Sequence, residues 1–185
     1  MDHLKHNFVQ NSAIMNDLLE YDNAKSNHLS TLNLNRMPLL SWDFYGTFLQ
    51  NLNNDFSDLK TLESLNTSNN WISEFDFEKE LQQENVIVVT DPTLKIVFAS
   101  HNLNKMTGYE TNEVIGKTPK FFQGQATSKE TNEEIRKAIK SQKPFEKIIV
   151  NYRKSGETYD CLIKGFPIFN KKGQLSHFIA FEKVA

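Results

Sequence analysis

The 185-residue sequence predicts an α+β fold: one five-stranded antiparallel sheet with helices gathered on one face, preceded by an α-helical N-terminal extension. Three observations carry this. Two short β-branched runs lie close together at 86–90 and 96–100; a glycine-punctuated, helix-forming stretch follows at 104–124; three longer alternating segments close the chain.

The extension is read first. From Asp2 to about Ser26, Leu4, Phe8, Val9, Ile14, Met15, Leu18 and Leu19 recur on roughly one helical stripe. The segment 26–36 is polar and rich in asparagine. Ser41 is a good N-cap for a second helix, in which Phe44, Phe48, Leu49, Leu52, Phe56, Leu59, Leu62 and Leu65 keep the helical period up to a polar break at 66–70. Trp71, Phe75, Phe77 and Leu81 predict a third, shorter helix. Trp42, Phe44, Phe48, Phe56 and Trp71 are too large an apolar load for solvent, so these helices are expected to cover something. The expected division is a helical extension over 1–80, capping or dimerising, and a sheet domain over 81–185.

In the sheet domain, Val86–Thr90 is closed by Asp91-Pro92 and followed by Ile96–Ser100, an antiparallel hairpin. Gly108, Gly116 and Gly124 mark backbone corners in the crossing segment, which suits the wall of a pocket. Ser128 caps a helix with Asn132, Ile135, Ala138 and Ile139 on or near its inner face, ending before Pro144. The strands 145–153, 157–169 and 175–184 are separated by turn signals at 154–156 and 170–173.

Composition excludes several classes. A net charge of −2 with scattered lysines and arginines gives no nucleic-acid footprint. A single cysteine, Cys161, excludes an internal disulfide and suits a reducing compartment. Without a signal segment or an apolar run approaching about 18 residues, a soluble cytoplasmic protein with no membrane partner is expected. His3 and His6 lie one helical turn apart without a third ligand, so no metal is assigned. There is no Ser-His-Asp order, no metal-ligand spacing and no phosphate loop, so no enzyme is expected.

A family resemblance rests on particular motifs. Thr90-Asp91-Pro92, Ile96–Ser100, Met106-Thr-Gly-Tyr-Glu and Glu113-Val-Ile-Gly resemble a PAS domain. Lys117–Gly124, Ile135-Arg136, Asn151-Tyr-Arg-Lys-Ser-Gly and Phe178-Ile179 narrow the resemblance to the flavin-binding light-oxygen-voltage branch, over about Val86 to Val184. It implies a PAS fold, a sensory and protein-interaction function, a flavin mononucleotide cofactor and a signalling partner. A stand-alone bacterial protein is expected, because the sequence stops just after its last strand with no output domain.

The sequence departs from that branch where the cofactor would sit. The branch has Gly-x-Asn-Cys-Arg-Phe-Leu-Gln-Gly, whose cysteine forms the photoadduct; here Gly116-Lys-Thr-Pro-Lys-Phe-Phe-Gln-Gly124 puts Pro119 at that place. Thr118-Pro119 instead reads as an N-cap and first helical residue. Gln123, Arg136 and Asn151 match the branch's ring and phosphate ligands, whereas Thr118, Lys120, Cys161 and Glu182 replace an asparagine, an arginine, an asparagine and a glutamine. Two lost amides leave polar flavin atoms unpaired at about 1 to 3 kcal/mol each, so no cofactor is expected and flavin mononucleotide affinity should be badly weakened. Lys120 still offers a phosphate a point charge.

Strand alternation puts Asn151, Cys161 and Glu182 on one face. Two readings follow: a polar site for another small molecule or a redox-sensitive thiol, or a filled core in which Glu182 bonds Arg136, Lys120 or water. Three functions compete: a sensory module, a cysteine-less flavoprotein sensing light or redox state, and a ligand-free dimerisation scaffold. The opposite face would carry Ile148, Val150, Tyr152, Leu162, Phe166, Ile179 and Phe181, with only Asp160 and Lys164 polar. The N-terminal helices are the expected cover, from the same chain or from a second copy in a symmetric homodimer.

Overall fold

The computed structural model describes residues 40–72 and 75–185, with side chains from Gly46 onward; the helix expected at Asp2–Ser26, with His3 and His6, and the side chains of Trp42 and Phe44 lie outside them. The chain divides into two compact units, Met1–Thr47 and Phe48–Ala185. The sheet, both apolar cores and every candidate site residue belong to the second.

Helix α1 spans Leu40–Asn69, beginning one residue before the expected Ser41 cap. It ends where Asn70 takes a positive φ of 51°, a conformation asparagine tolerates better than most residues. The expected third helix splits in two. Trp71 lies in a short strand, β1 (Trp71–Ile72), and only Phe77–Gln82 is helical, as α2, with the Asp76 carboxylate accepting from the Lys79 N–H at 3.0 Å. The reason is tertiary. Trp71 Nε1–H donates to His177 Nδ1 at 3.1 Å, which pins the indole to the sheet and overrides the helical period.

The expected hairpin forms as β2 (Val86–Thr90) and β3 (Ile96–Ala99). The crossing follows as α3 (Leu103–Thr107), α4 (Thr111–Val114), a 3-10 turn at Pro119–Phe122 and α5 (Lys129–Lys140). Ser128 caps α5 as expected, its Oγ accepting from the Thr131 N–H at 3.2 Å. The meander is β4 (Phe145–Tyr152), β5 (Thr158–Asn170) and β6 (Leu175–Val184). The strand order is β1-β5-β6-β2-β3, with β4 also on β5; every pairing is antiparallel. Among the described residues the sheet therefore has six strands rather than five, the sixth being the two-residue β1.

Each face carries its own core. On the inner face, Val88, Ile96, Leu103, Met106, Val114, Phe122, Ile149 and Cys161 pack under the crossing helices. On the outer face, Ile87, Val89, Phe98, Ile168, Ile179 and Phe181 are covered by Leu62 of α1 and by Phe77 and Leu81 of α2, with Leu59 and Leu65 beside them. The expected helical cover is thus present within one chain, but leucines and Phe77 supply it. Phe48 and Phe56, expected to be buried, are 47% and 68% exposed, and Leu49 and Leu52 on the same helix are exposed as well. The cover is also partial, leaving Ile148 exposed and Leu162 and Phe166 half-buried. Tyr152, expected on that face, turns instead to the loop before α5, where its hydroxyl accepts the Ala126 N–H at 2.7 Å.

Candidate functional site

The pairing register builds the site. Asn151 on β4 lies directly opposite Tyr159 on β5, Ile149 opposite Cys161, and Ile163 opposite Glu182 on β6. Side chains alternate across a strand, so Asn151, Tyr159, Cys161 and Glu182 share the inner face. All four are buried, none more than 7% exposed.

Their electrostatics follow from that burial. Glu182 is pushed up to about 7 by desolvation, and the Cys161 thiol, donating to its Oε2 at 3.7 Å, is the one group that opposes the shift. Cys161 is raised far above the usual thiol range, first by desolvation and then by the neighbouring carboxylate. Burial likewise raises Tyr159. Asn151 Oδ1 and the Tyr159 hydroxyl are buried and make no hydrogen bond of good geometry, although Asn151, Tyr159 and Cys161 lie close enough to act on one another. Such poorly satisfied atoms are uncommon in a folded interior and call for a partner.

Of the seven residues singled out in the sequence, the structure brings together Asn151, Cys161 and Glu182. The other four lie on the crossing segment. Pro119 opens the 3-10 turn as expected, with Thr118 as its N-cap residue and Gln123 as its C-cap, although the Thr118 hydroxyl makes no capping bond. Gln123 is half-buried; Thr118 and Lys120 are exposed. Arg136 is exposed on α5 and paired with Glu133 at 2.9 Å, so neither it nor Lys120 neutralises Glu182. Two members escaped the sequence reading. Tyr159, two residues before Cys161, was legible from alternation but reads equally as core. The Arg153 guanidinium stacks 4.7 Å from the Tyr159 ring and donates to the Met106 carbonyl, tying the end of β4 to α3. No group of His, Cys, Asp and Glu among the described residues is placed to hold a metal.

The arrangement of a twisted antiparallel sheet with a helical crossing over a polar inner cluster has known counterparts. The PAS domain family matches residues 84–183, just over half of the chain. The chain belongs to the PAS domain family. Its PAS domain is 41% identical over 98 residues to protein TWIN LOV 1 of Arabidopsis thaliana and 38% identical over 97 residues to a blue-light-activated histidine kinase of Brucella canis. Each match takes in 51% of this chain but only 25% and 20% of those proteins' own lengths. Among solved structures, the dark form of the Aureochrome1 LOV domain superposes with a TM-score of 0.56 at 26% identity, covering 61% of this chain and 85% of that one. A LOV domain studied with a flavin analogue gives the same TM-score and identity, covering 60% and 86%. The PAS domain of this chain is therefore LOV-like. No described helix is long and apolar enough to cross a membrane.

Proposed function

We propose that this chain is a PAS sensory module whose inner-face cluster takes a small molecule other than flavin, with residues 1–80 as a helical extension and 81–185 as the sensor. One observation carries the reading: four contiguous side chains, Asn151, Tyr159, Cys161 and Glu182, are buried with two polar atoms making no hydrogen bond of good geometry. A packed core does not ordinarily tolerate that cost.

The resemblance implies flavin mononucleotide, and the residues present do not fit it. An isoalloxazine edge alternates carbonyl acceptors with ring donors and needs side chains that answer both. Asn151 keeps an amide, but the Cys161 hydrogen is already directed at Glu182, and an ionised Glu182 offers only acceptors. A flavin carbonyl placed against that carboxylate in its ionised form would stand unpaired. On the phosphate side, Arg136 is engaged with Glu133. With Pro119 where the branch carries its cysteine, no cysteinyl adduct is expected.

Strand β6 supplies a route outward. Glu182 faces the cluster, while its neighbour Phe181 belongs to the outer core that seats Leu62 of α1. A shift of β6 on ligand binding would therefore change the seat of α1, and the signalling partner would read that helix. Native mass spectrometry and absorbance of the chain purified without added ligand test this reading. A bound mass that is not a flavin, lost in Glu182→Leu, is expected; a stoichiometric flavin or an empty chain sinks it.

A second reading, a homodimer, is favoured by the uncovered stripe Phe48, Leu49, Leu52 and Phe56 on α1. Light scattering decides it. A dimer that Leu52→Asp converts to a folded monomer is expected, and a monomeric wild type ends the idea.

A further inference from the structure

The outer face of the sheet holds a cavity of about 200 Å³ where α2 leans over strands β5 and β6. Phe75, Leu162, Phe166 and Phe181 give it apolar walls, and Lys164, Lys183 and Glu80 its charges. The register explains how it forms. Lys164 lies opposite Phe181 and Leu162 opposite Lys183, so apolar and cationic side chains alternate along the seam between β5 and β6 on one face. Phe75 closes one end, its ring 5.4 Å from that of Phe166 and 5.5 Å from that of Phe181. The two lysines are diagonal neighbours, about 7 to 8 Å apart at the backbone. Lys164 meets one carboxylate, Glu146, at 3.5 Å, and Glu146 lies on the other side of β5 from Lys183. Lys183 makes no ion pair among the described residues. Glu80 is turned to the rim, where its Oε2 accepts the Asn85 amide at 2.6 Å.

We propose that this cavity is a ligand site and that it takes a small amphiphilic carboxylate, a single aromatic ring or short alkyl chain whose apolar end rests on the phenylalanines and whose carboxylate sits between Lys164 and Lys183. Lysine stems can serve simply as cover for an apolar surface. That role leaves two like charges at one mouth, whereas an anion between them removes the repulsion and pairs Lys183. Size narrows the ligand further: drug-sized molecules occupy about 300 Å³ or more, so about 200 Å³ suits one ring and excludes a fused ring system. The site is independent of the inner cluster, because Lys164 and Lys183 face away from Cys161 and Glu182. Its occupant would nevertheless reach α1 indirectly, since Phe75, Phe166 and Phe181 belong to the core that seats Leu62.

Phenylacetate and phenylacetamide test this on the full chain by nitrogen-15 NMR titration, because they share a shape and differ in a carboxylate against a carboxamide. Phenylacetate should shift the backbone amides of Leu162, Lys164, Phe181 and Lys183, with a Kd on the order of millimolar, as befits about ten non-hydrogen atoms. It should bind at least about fivefold more tightly than phenylacetamide. Lys164→Gln and Lys183→Gln, both substitutions of exposed side chains, should each weaken phenylacetate at least about threefold and leave phenylacetamide within about twofold. Glu182→Gln, on the opposite face, should leave phenylacetate within about twofold. A smaller preference for phenylacetate or a smaller effect of either lysine substitution overturns the proposal. So do shifts that gather on another surface or on the inner cluster, and so does the absence of shifts at about 20 mM phenylacetate.

Discussion

Glu182 is the residue with the clearest consequence for solution behaviour. Its folded pKa is raised to about 7 from an ordinary value of 4.5, so between those values the folded state holds a proton that the unfolded chain has released. Stability should therefore fall as pH rises from about 4.5 to about 7, and level off above, by about 3 kcal/mol in all. The lowered carboxylates Asp91, Glu113 and Glu134 act with the opposite sign but are common to wild type and variant. Urea denaturation of wild type and Glu182→Gln at pH 5 and pH 8 isolates the effect: the wild type should lose stability relative to the variant on going to pH 8. The Cys161 thiol, fully buried and far above its usual pKa, should resist an aromatic disulfide reagent in the native chain and react in full once unfolded. Asn151, Cys161 and Glu182 were legible because a two-residue period fixes the face of a strand once one member is placed. Arg136 was not, because its neighbour Glu133 one helical turn away competes for it.

At the scale of elements, α1 divides into a seated half and an uncovered half. Leu62 is fully buried in the outer core, and Leu62→Ala should cost about 2 to 5 kcal/mol in chemical denaturation. Phe56→Ser, on the exposed stripe, should change stability by less than about 0.5 kcal/mol. One polar anchor accompanies the leucines: buried Asp58 accepts the His101 backbone N–H at 2.8 Å and pairs with its Nδ1 at 2.6 Å. Asp58→Ala should accordingly raise hydrogen exchange in α1 and at His101 more than in β5 or β6. The β1 strand carries its own pH dependence. His177 accepts from Trp71 and Ser176 at Nδ1 and is held below its usual pKa by burial, so its stabilising contribution is present above about pH 6.5 and lost as pH falls below it. In a Trp42→Phe background, Trp71 fluorescence should change over that lower range and stay constant above it. The helical period of α1 was readable in the sequence, but which of its apolar residues touch the sheet was not. Spacing alone does not separate Leu62 from Phe56, because that choice depends on where the outer face ends. Trp71 was misread for the same reason, its fate being set by His177, which lies 106 residues away.

Across the whole molecule, the order of two strands, a crossing and a meander was legible because turn signals and β-branched runs are local. The added strand and the two-sided core arise from contacts far apart in sequence. The inner face carries the buried polar cluster and the outer face the seat of α1, and β6 belongs to both. The most direct test of that arrangement is native mass spectrometry of the chain as purified, beside Glu182→Leu, with an absorbance spectrum of the same samples. The expected result is a colourless wild type carrying a small molecule that the variant lacks. A yellow wild type carrying one flavin per chain, kept by the variant, would contradict it.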